Sequence, residues 1–176
     1  MANHTPPLKR RSFLKLGIGA AVALTVVGGA VALLKPGLVD GKLSRASRLL
    51  MTRVAQAMLD GTLPKETAAQ QRALDGVLER LEQFLGRNHE RVQAEVSQLL
   101  GLLATAAGRR GLVGLSASWE EATVADTTAA LNSMRAAGLS LRIQAYQGLH
   151  DLVCVAYFTG QESWATLGYP GPVALA

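Results

Sequence analysis

The charge pattern divides the sequence near its amino terminus, and this division limits which residues can belong to a folded core. Residues 9–15 read Lys-Arg-Arg-Ser-Phe-Leu-Lys, and residues 16–34 then contain no charged side chain. An arginine pair followed by an apolar run is typical of a twin-arginine export signal. We therefore predict that residues 1–32 form a signal segment, residues 33–42 a linker and residues 43–176 the folded domain.

Five residues of the predicted signal are the candidates for recognition by the export machinery. Two adjacent guanidinium groups suit carboxylates on a receptor, and the apolar side chains after them add a contact surface. The predicted set is Arg10, Arg11, Phe13, Leu14 and Lys15. The partner expected for this segment is the twin-arginine translocase, which transports proteins that are already folded.

Two fates are open for the signal after export. Ala30 and Ala32 flank Val31 in a small-x-small pattern, which predicts cleavage there and a mature chain beginning near Leu33. Alternatively, the uncharged residues 16–34 are just long enough to span a bilayer and would remain as an anchor with the basic end inside. The expected location is the periplasm, with attachment to the inner membrane if the anchor is kept.

The excess of positive charge belongs to the signal and not to the domain. Lys9, Arg10, Arg11 and Lys15 are four of the 18 basic residues, and all 13 acidic residues follow them. The domain is thus nearly neutral, which argues against nucleic-acid binding. The single cysteine, Cys154, excludes an internal disulfide, and its apolar neighbours suggest a small buried side chain.

Apolar side chains at helical spacing predict an all-α fold, a small bundle of about five helices. Aromatic residues make up only 5% of the chain, and the abundance of leucine and alanine also favours helices over sheets. The predicted ranges are 43–59, 65–85, 89–107, 118–137 and 139–158. Ser118 and Glu121 have the spacing of a capping box at the start of the fourth helix. An irregular tail rich in Gly, Pro and aromatic residues follows the last helix.

The segment 108–114 is predicted to be a glycine-rich loop, with Arg109 and Arg110 as a solvated pair or, alternatively, as contacts for an acidic partner. It lacks the Lys-Ser/Thr ending of a phosphate-binding loop and the spacing of a dinucleotide-binding turn. A nucleotide site is therefore not expected there.

Residues that could perform catalysis are scarce. The sequence has neither a Cys-x-x-Cys nor a His-Glu-x-x-His pattern, so no metal site is predicted, and the absence of Cys-x-x-Cys-His excludes covalent c-type haem. His150 and Asp151 are adjacent, and adjacent helical residues point in different directions, which favours a surface or partner-facing histidine over a general base. We assign no catalytic, cofactor-binding or metal-binding residue. A free-standing exported enzyme using His150 and Asp151 remains one alternative, and a membrane-anchored helical adaptor is another.

Several stretches give the chain a family resemblance. They are the twin-arginine start, Ser118-Trp119-Glu120-Glu121, Tyr146-x-x-Leu149-His150-Asp151-Leu152, Ala156-Tyr157-Phe158, Glu162-Ser163-Trp164-Ala165 and Leu167-Gly168-Tyr169-Pro170-Gly171-Pro172. In these stretches the chain resembles the gluconate 2-dehydrogenase subunit 3 family, the small (gamma) subunits of bacterial flavin-dependent dehydrogenases. The resemblance covers about the last 60 residues, while the middle matches only in helical character. Lys9 departs from it, because the signal usually has Ser or Thr at that position.

The resemblance implies an accessory role without catalysis. In such systems a large flavoprotein of the glucose–methanol–choline (GMC) type oxidises an alcohol or sugar, and the small subunit escorts it through the twin-arginine pathway and stabilises it. The FAD is expected on that partner and no cofactor on this chain, and a cytochrome c subunit is a further expected partner.

Aromatic and proline side chains in the resembling stretches are the predicted contacts with the large subunit. Aromatic residues held on a turn either cover a core or anchor an interface, and both roles are open from sequence alone. The predicted interface set is Trp119, Tyr157, Phe158, Trp164, Tyr169, Pro170 and Pro172.

Overall fold

The computed structural model describes residues 35–161, 163–164 and 168–170. Within them it contains a two-stranded hairpin, six α-helices and a π-helix, so the prediction of a mainly helical fold is confirmed. The elements are β1 (Leu38–Val39), β2 (Lys42–Leu43), α1 (Arg45–Met58), α2 (Thr67–Gly86), α3 (Glu90–Ala104), the one-turn α4 (Ala106–Gly108), a π-helix (Arg109–Val113), α5 (Val124–Arg135) and α6 (Ser140–Phe158). The predicted signal residues, from Arg10 to Ala32, and the predicted interface residue Pro172 lie outside the described residues.

Helix α1 lies at the centre of the domain and contacts α2, α3, α5 and α6. Its inward side chains recur every three or four residues, the spacing that places them on one face of a helix. The largest fully buried side chains are Leu50, Met51 and Val54 on α1, Leu74, Val77, Leu78, Leu81 and Leu85 on α2, Leu100 and Leu103 on α3, Met134 on α5 and Leu149 on α6. Each fully buried leucine contributes about 1.5–3 kcal/mol to folding, so this cluster is the main source of stability.

The fourth long helix begins later than predicted. Ser118 and Glu121 do exchange hydrogen bonds, with Ser118 Oγ donating to Glu121 Oε2 at 3.0 Å and Glu121 N donating to Ser118 Oγ at 3.3 Å. However, they close only a single turn. A second capping box, formed by Thr123 and Asp126, begins α5 at Val124. The hydrogen bonds from Thr123 lower the pKa of the Asp126 carboxyl group, as expected for a carboxylate that accepts at a helix start.

Part of the segment predicted as a linker forms an element of the fold. Strands β1 and β2 pair antiparallel, with Leu38 opposite Leu43 and Val39 opposite Lys42. The turn residues Asp40 and Gly41 both have positive φ, at 51° and 73°, which is the conformation that a two-residue type I′ hairpin requires. Leu38 and Leu43 are both buried, so the hairpin belongs to the core.

The hairpin is held between α2 and α3 by polar contacts. Leu38 N donates to Ser97 Oγ at 3.0 Å, and Leu43 N donates to Glu82 Oε1 at 3.2 Å. Arg48 on α1 also donates to that Glu82 oxygen, at 3.0 Å. A side chain at Gly101 would meet the carbonyl oxygen of Lys35 at 2.6 Å, so the close approach of the chain to α3 depends on this glycine.

Residues 108–114 are not a loop, and the prediction of a solvated arginine pair is wrong for Arg109. This side chain is 7% exposed and donates through Nη1 to the carbonyl oxygens of residues 115, 116 and 117. The π-helix closes with a hydrogen bond from Gly114 N to Arg109 O at 3.0 Å, and Gly114 ends it with a φ of 82°. Arg110 is exposed, as predicted.

In the part of the chain that the structure describes, no helix combines the length and the apolar character needed to cross a bilayer.

Candidate partner-binding segment

The chain leaves the end of α6 through consecutive tight turns. Gly160 N donates to Tyr157 O at 3.0 Å, Ser163 N donates to Gly160 O at 3.1 Å, and Trp164 N donates to Gln161 O at 3.1 Å. Ser163 is fully buried, and its hydroxyl group donates to Gly160 O at 2.7 Å. These bonds fix the position of Trp164 relative to the last turn of α6.

Trp164 and Tyr169 form an aromatic pair in the tail. Their rings meet edge to face, with centroids 5.4 Å apart, and Tyr169 N donates to Trp164 O at 2.9 Å. Gly168 precedes Tyr169 with a φ of 66°, a conformation that glycine adopts without strain. Trp164 is half-buried, Tyr169 is 48% exposed and Pro170 is exposed. The contact with Trp164 therefore holds Tyr169 in a defined position, partly exposed to the solvent.

The last two residues of α6 have opposite environments although their rings are in contact. The Tyr157 and Phe158 rings lie 5.3 Å apart in an edge-to-face arrangement. Tyr157 is only 5% exposed and packs in the core, whereas Phe158 is 47% exposed. We name Phe158, Trp164, Tyr169 and Pro170 the C-terminal aromatic segment.

Trp119 belongs to the core of this chain. It is 4% exposed, and its indole Nε1 donates to Leu103 O at 3.0 Å. Arg53 on α1 fixes the backbone around it by donating to Trp119 O at 3.1 Å and Glu120 O at 2.9 Å. Trp119 and Tyr157 thus leave almost no surface for a partner, while the other described members of the predicted interface set make up the C-terminal aromatic segment.

A second group of chemically active side chains lies on α6. His150 Nδ1 is 3.3 Å from Asp151 Oδ1, and His150 Nε2 is 3.5 Å from Cys154 Sγ. Tyr146 stacks on the imidazole, with ring centroids 6.0 Å apart. The expectation that His150 and Asp151 diverge is wrong, and Cys154 is half-buried instead of fully buried. The signal that identifies this group in the sequence is the four-residue spacing of His150 and Cys154, which places both on one helix face.

This group does not have the features of an activated nucleophile. Burial raises the pKa of the Cys154 thiol, and the nearby charge of Asp151 raises it further. A thiol in that state is mostly protonated near neutral pH, and the protonated form is a poor nucleophile. The side chains of His150 and Asp151 are 48% and 62% exposed, so water surrounds them. A sheltered reaction site is therefore not formed around His150.

A shallow cavity among the described residues lies elsewhere. Its walls come from the hairpin and α2, and its lining consists of Asp40, Gly41, Lys42, Glu79, Glu82, Gln83 and Gly86. Within the described ranges, no group of three or more His, Cys, Asp or Glu side chains is placed to hold a metal ion.

Comparison of the chain with protein-family models, with curated proteins and with solved structures gives no match.

Proposed function

We propose that this protein is a non-catalytic accessory subunit of an exported flavin-dependent dehydrogenase. In this role it binds a large GMC-type subunit that carries FAD, and it escorts that subunit, already folded, through the twin-arginine translocase. The observation that carries the proposal is the exposure of Phe158 and Tyr169, at 47% and 48%, within the same stretch that carries the family resemblance. The sequence of the signal supplies the second support.

The export route follows from the chemistry of the cofactor. FAD is inserted into the large subunit in the cytoplasm, so the loaded enzyme must cross the membrane in a folded state. A small subunit with a twin-arginine signal can carry such cargo, because that pathway transports folded proteins. The complex then works in the periplasm, where a cytochrome c subunit is the proposed acceptor of electrons. It is attached to the inner membrane if the signal is kept as an anchor.

The C-terminal aromatic segment has the properties of an interface anchor. Tyrosine and phenylalanine bury a large area when a partner covers them, and they lose few rotamers in doing so. The turns after α6 and the ring pair of Trp164 and Tyr169 hold this surface in place before binding. Preorganisation of this kind lowers the entropy cost of association.

The export role is tested by changing Arg10 and Arg11 to lysine. We expect the large flavoprotein, co-expressed with this double variant, to remain in the cytoplasm, because lysine cannot reproduce the bidentate pairing of a guanidinium group. The measurement is flavin fluorescence and dehydrogenase activity in separated periplasmic and cytoplasmic fractions.

The matched control changes two exposed arginines of the folded domain, Arg45 and Arg87, to lysine. This variant carries the same number of substitutions and should export the flavoprotein normally. If the flavoprotein reaches the periplasm in full amount with the Arg10 and Arg11 variant, the escort role is wrong.

The binding role is tested by changing Phe158 and Tyr169 to alanine. Loss of one interface hot spot costs about 2 kcal/mol or more, which corresponds to about a 30-fold weaker complex. We expect each single variant to lower affinity for the large subunit to that extent, as measured by titration of the purified subunits. Both side chains are about half exposed, so the thermal unfolding of the isolated chain should change little.

Leu139 provides the control for loss of an exposed apolar side chain outside the C-terminal aromatic segment. It precedes α6 at the end opposite Phe158 and is 67% exposed. Leu139→Ala should bind the large subunit as the unmodified chain does. Normal affinity in the folded Phe158 and Tyr169 variants would remove the C-terminal aromatic segment from the proposed interface.

A further inference from the structure

The folded domain begins almost directly after the predicted cleavage site of the signal. The bond that would be cut follows Ala32, and only two residues separate Ala32 from Lys35, where the described chain begins. A protease binds several residues on each side of the bond that it cuts in an extended conformation, so folded chain near that bond must first open. The packing of the first residues of the domain therefore decides whether cleavage can occur.

These first residues are held against α3 by close backbone contacts. A side chain at Gly101 would meet Lys35 O at 2.6 Å, so the chain already lies against the helix at Lys35. Gly37 N donates to Ser97 O at 3.1 Å, and Leu38 N donates to Ser97 Oγ at 3.0 Å. Leu38 is 8% exposed, so detaching this segment would also expose a side chain of the core. The start of the domain is thus packed and is not in the extended, accessible form that a protease binds.

The order of the export steps gives this packing its importance. The twin-arginine pathway transports a chain that is already folded, so the domain is complete before signal peptidase meets the chain outside the inner membrane. A chain exported unfolded would offer the residues after the cleavage site in an extended form at that moment, whereas the folded domain does not. The inference that follows rests on the proposed export role, which supplies this order of events.

We infer that the signal stays attached and that residues 16–34 anchor the exported chain in the inner membrane. These residues carry no charge, and their number is close to the ~20 apolar residues that span a bilayer. Lys15 and Lys35 flank them and supply one charged side chain for the water on each side of the membrane. Because the domain is packed from Lys35 onwards, no long linker separates it from the anchor. The dehydrogenase complex is therefore held directly at the periplasmic surface of the membrane.

A spacer inserted between Leu34 and Lys35 tests the inference. About eight residues of Gly and Ser form a flexible stretch that the peptidase can bind, and the insertion alters no packed residue. We expect the unmodified chain, co-expressed with the large subunit, to keep its complete mass in the membrane fraction after export. The spacer variant should lose residues 1–32 at least about tenfold faster in a pulse–chase experiment, because cleavage no longer requires buried Leu38 to detach. Its product should appear in the soluble periplasm.

Two further variants control for the site of cleavage and for the packing. Changing both Ala30 and Ala32 to leucine in the spacer variant removes the small-x-small pattern and should stop the cleavage. Ser97→Ala, made without the spacer, removes the hydroxyl group that accepts from Leu38 N. This change loosens the start of the domain and should increase the rate of cleavage above that of the unmodified chain.

Intact mass and protease treatment of spheroplasts separate the outcomes. An unmodified chain that is trimmed after Ala32, while the flavoprotein still reaches the periplasm, would overturn the anchor and leave the escort role intact. A spacer variant that is exported but stays uncleaved would show that packing is not what preserves the signal, and the inference would be wrong. A chain that the added protease never reaches has not been exported, which contradicts the escort role and the anchor together.

Discussion

Replacing Trp119 by alanine is expected to destabilise the isolated chain by about 3–5 kcal/mol, the usual cost of removing a large aromatic side chain from a core. Trp119 is 4% exposed, and its indole group donates to Leu103 O, so the change leaves both a cavity and an unpaired carbonyl group at the end of α3. Urea denaturation of the purified chain, without any partner, measures the loss. The transition midpoint should fall clearly while the slope stays the same.

Trp119→Phe separates the contribution of core packing from that of the hydrogen bond to Leu103 O. Phenylalanine keeps most of the apolar volume but cannot donate to Leu103 O, and an unpaired buried acceptor costs about 1–3 kcal/mol. We therefore expect a loss smaller than that of the alanine variant. A Trp119→Ala chain that unfolds like the original protein but no longer binds the large subunit would contradict a core role and return Trp119 to the interface.

The contrast between Trp119 and Tyr169 shows what the aromatic pattern could not reveal. Both residues lie beside a turn in a stretch of mixed polarity, and both were predicted to bind a partner. Trp119 meets Leu103 on α3, 16 positions away in the chain, and is 4% exposed, whereas Tyr169 meets Trp164, five positions earlier in the same tail, and is 48% exposed. Chemical type is visible in a sequence, but the element that a side chain meets across the fold is not.

The long helices were predictable because their signal is local. On α2 the buried side chains follow the i, i+3, i+4, i+7 pattern of one helix face, which can be recognised without any tertiary information. The start of α5 was harder, since two capping boxes compete within nine residues. Both sets of hydrogen bonds form, and only the second is followed by a helix.

The hairpin carried a local signal that the prediction did not use. Asp40 and Gly41 stand between Leu38-Val39 and Lys42-Leu43, and Asp-Gly is a strong indicator of a type I′ turn. The prediction instead assigned residues 33–42 to a linker. The contacts that stabilise so short a hairpin come from Ser97 and Glu82, which are distant in sequence.

Replacing Arg109 by methionine is expected to cost about 1–3 kcal/mol, although both residues have long flexible side chains. Methionine keeps the apolar stem but leaves the carbonyl groups of residues 115, 116 and 117 without their common donor. The bond to Leu115 O is buried, and an unpaired buried carbonyl costs about 1–3 kcal/mol, whereas the carbonyl groups of residues 116 and 117 are partly exposed and can pair with water. The measurement is again urea denaturation of the isolated chain, with Arg110→Met as the control. Arg110 is exposed, so its loss should stay within about 0.5 kcal/mol.

Hydrogen exchange locates the effect of Arg109→Met within the fold. The amides of Gly114 and Leu115 both donate to Arg109 O, so they should exchange faster when the π-helix loosens. The change should extend to α6, because Arg142 on that helix donates to Leu112 O at 2.8 Å. If the Arg109 variant keeps both its stability and the protection of these amides, the π-helix is held by its backbone alone. In that case the side chain of Arg109 is not what holds residues 109–117 in place.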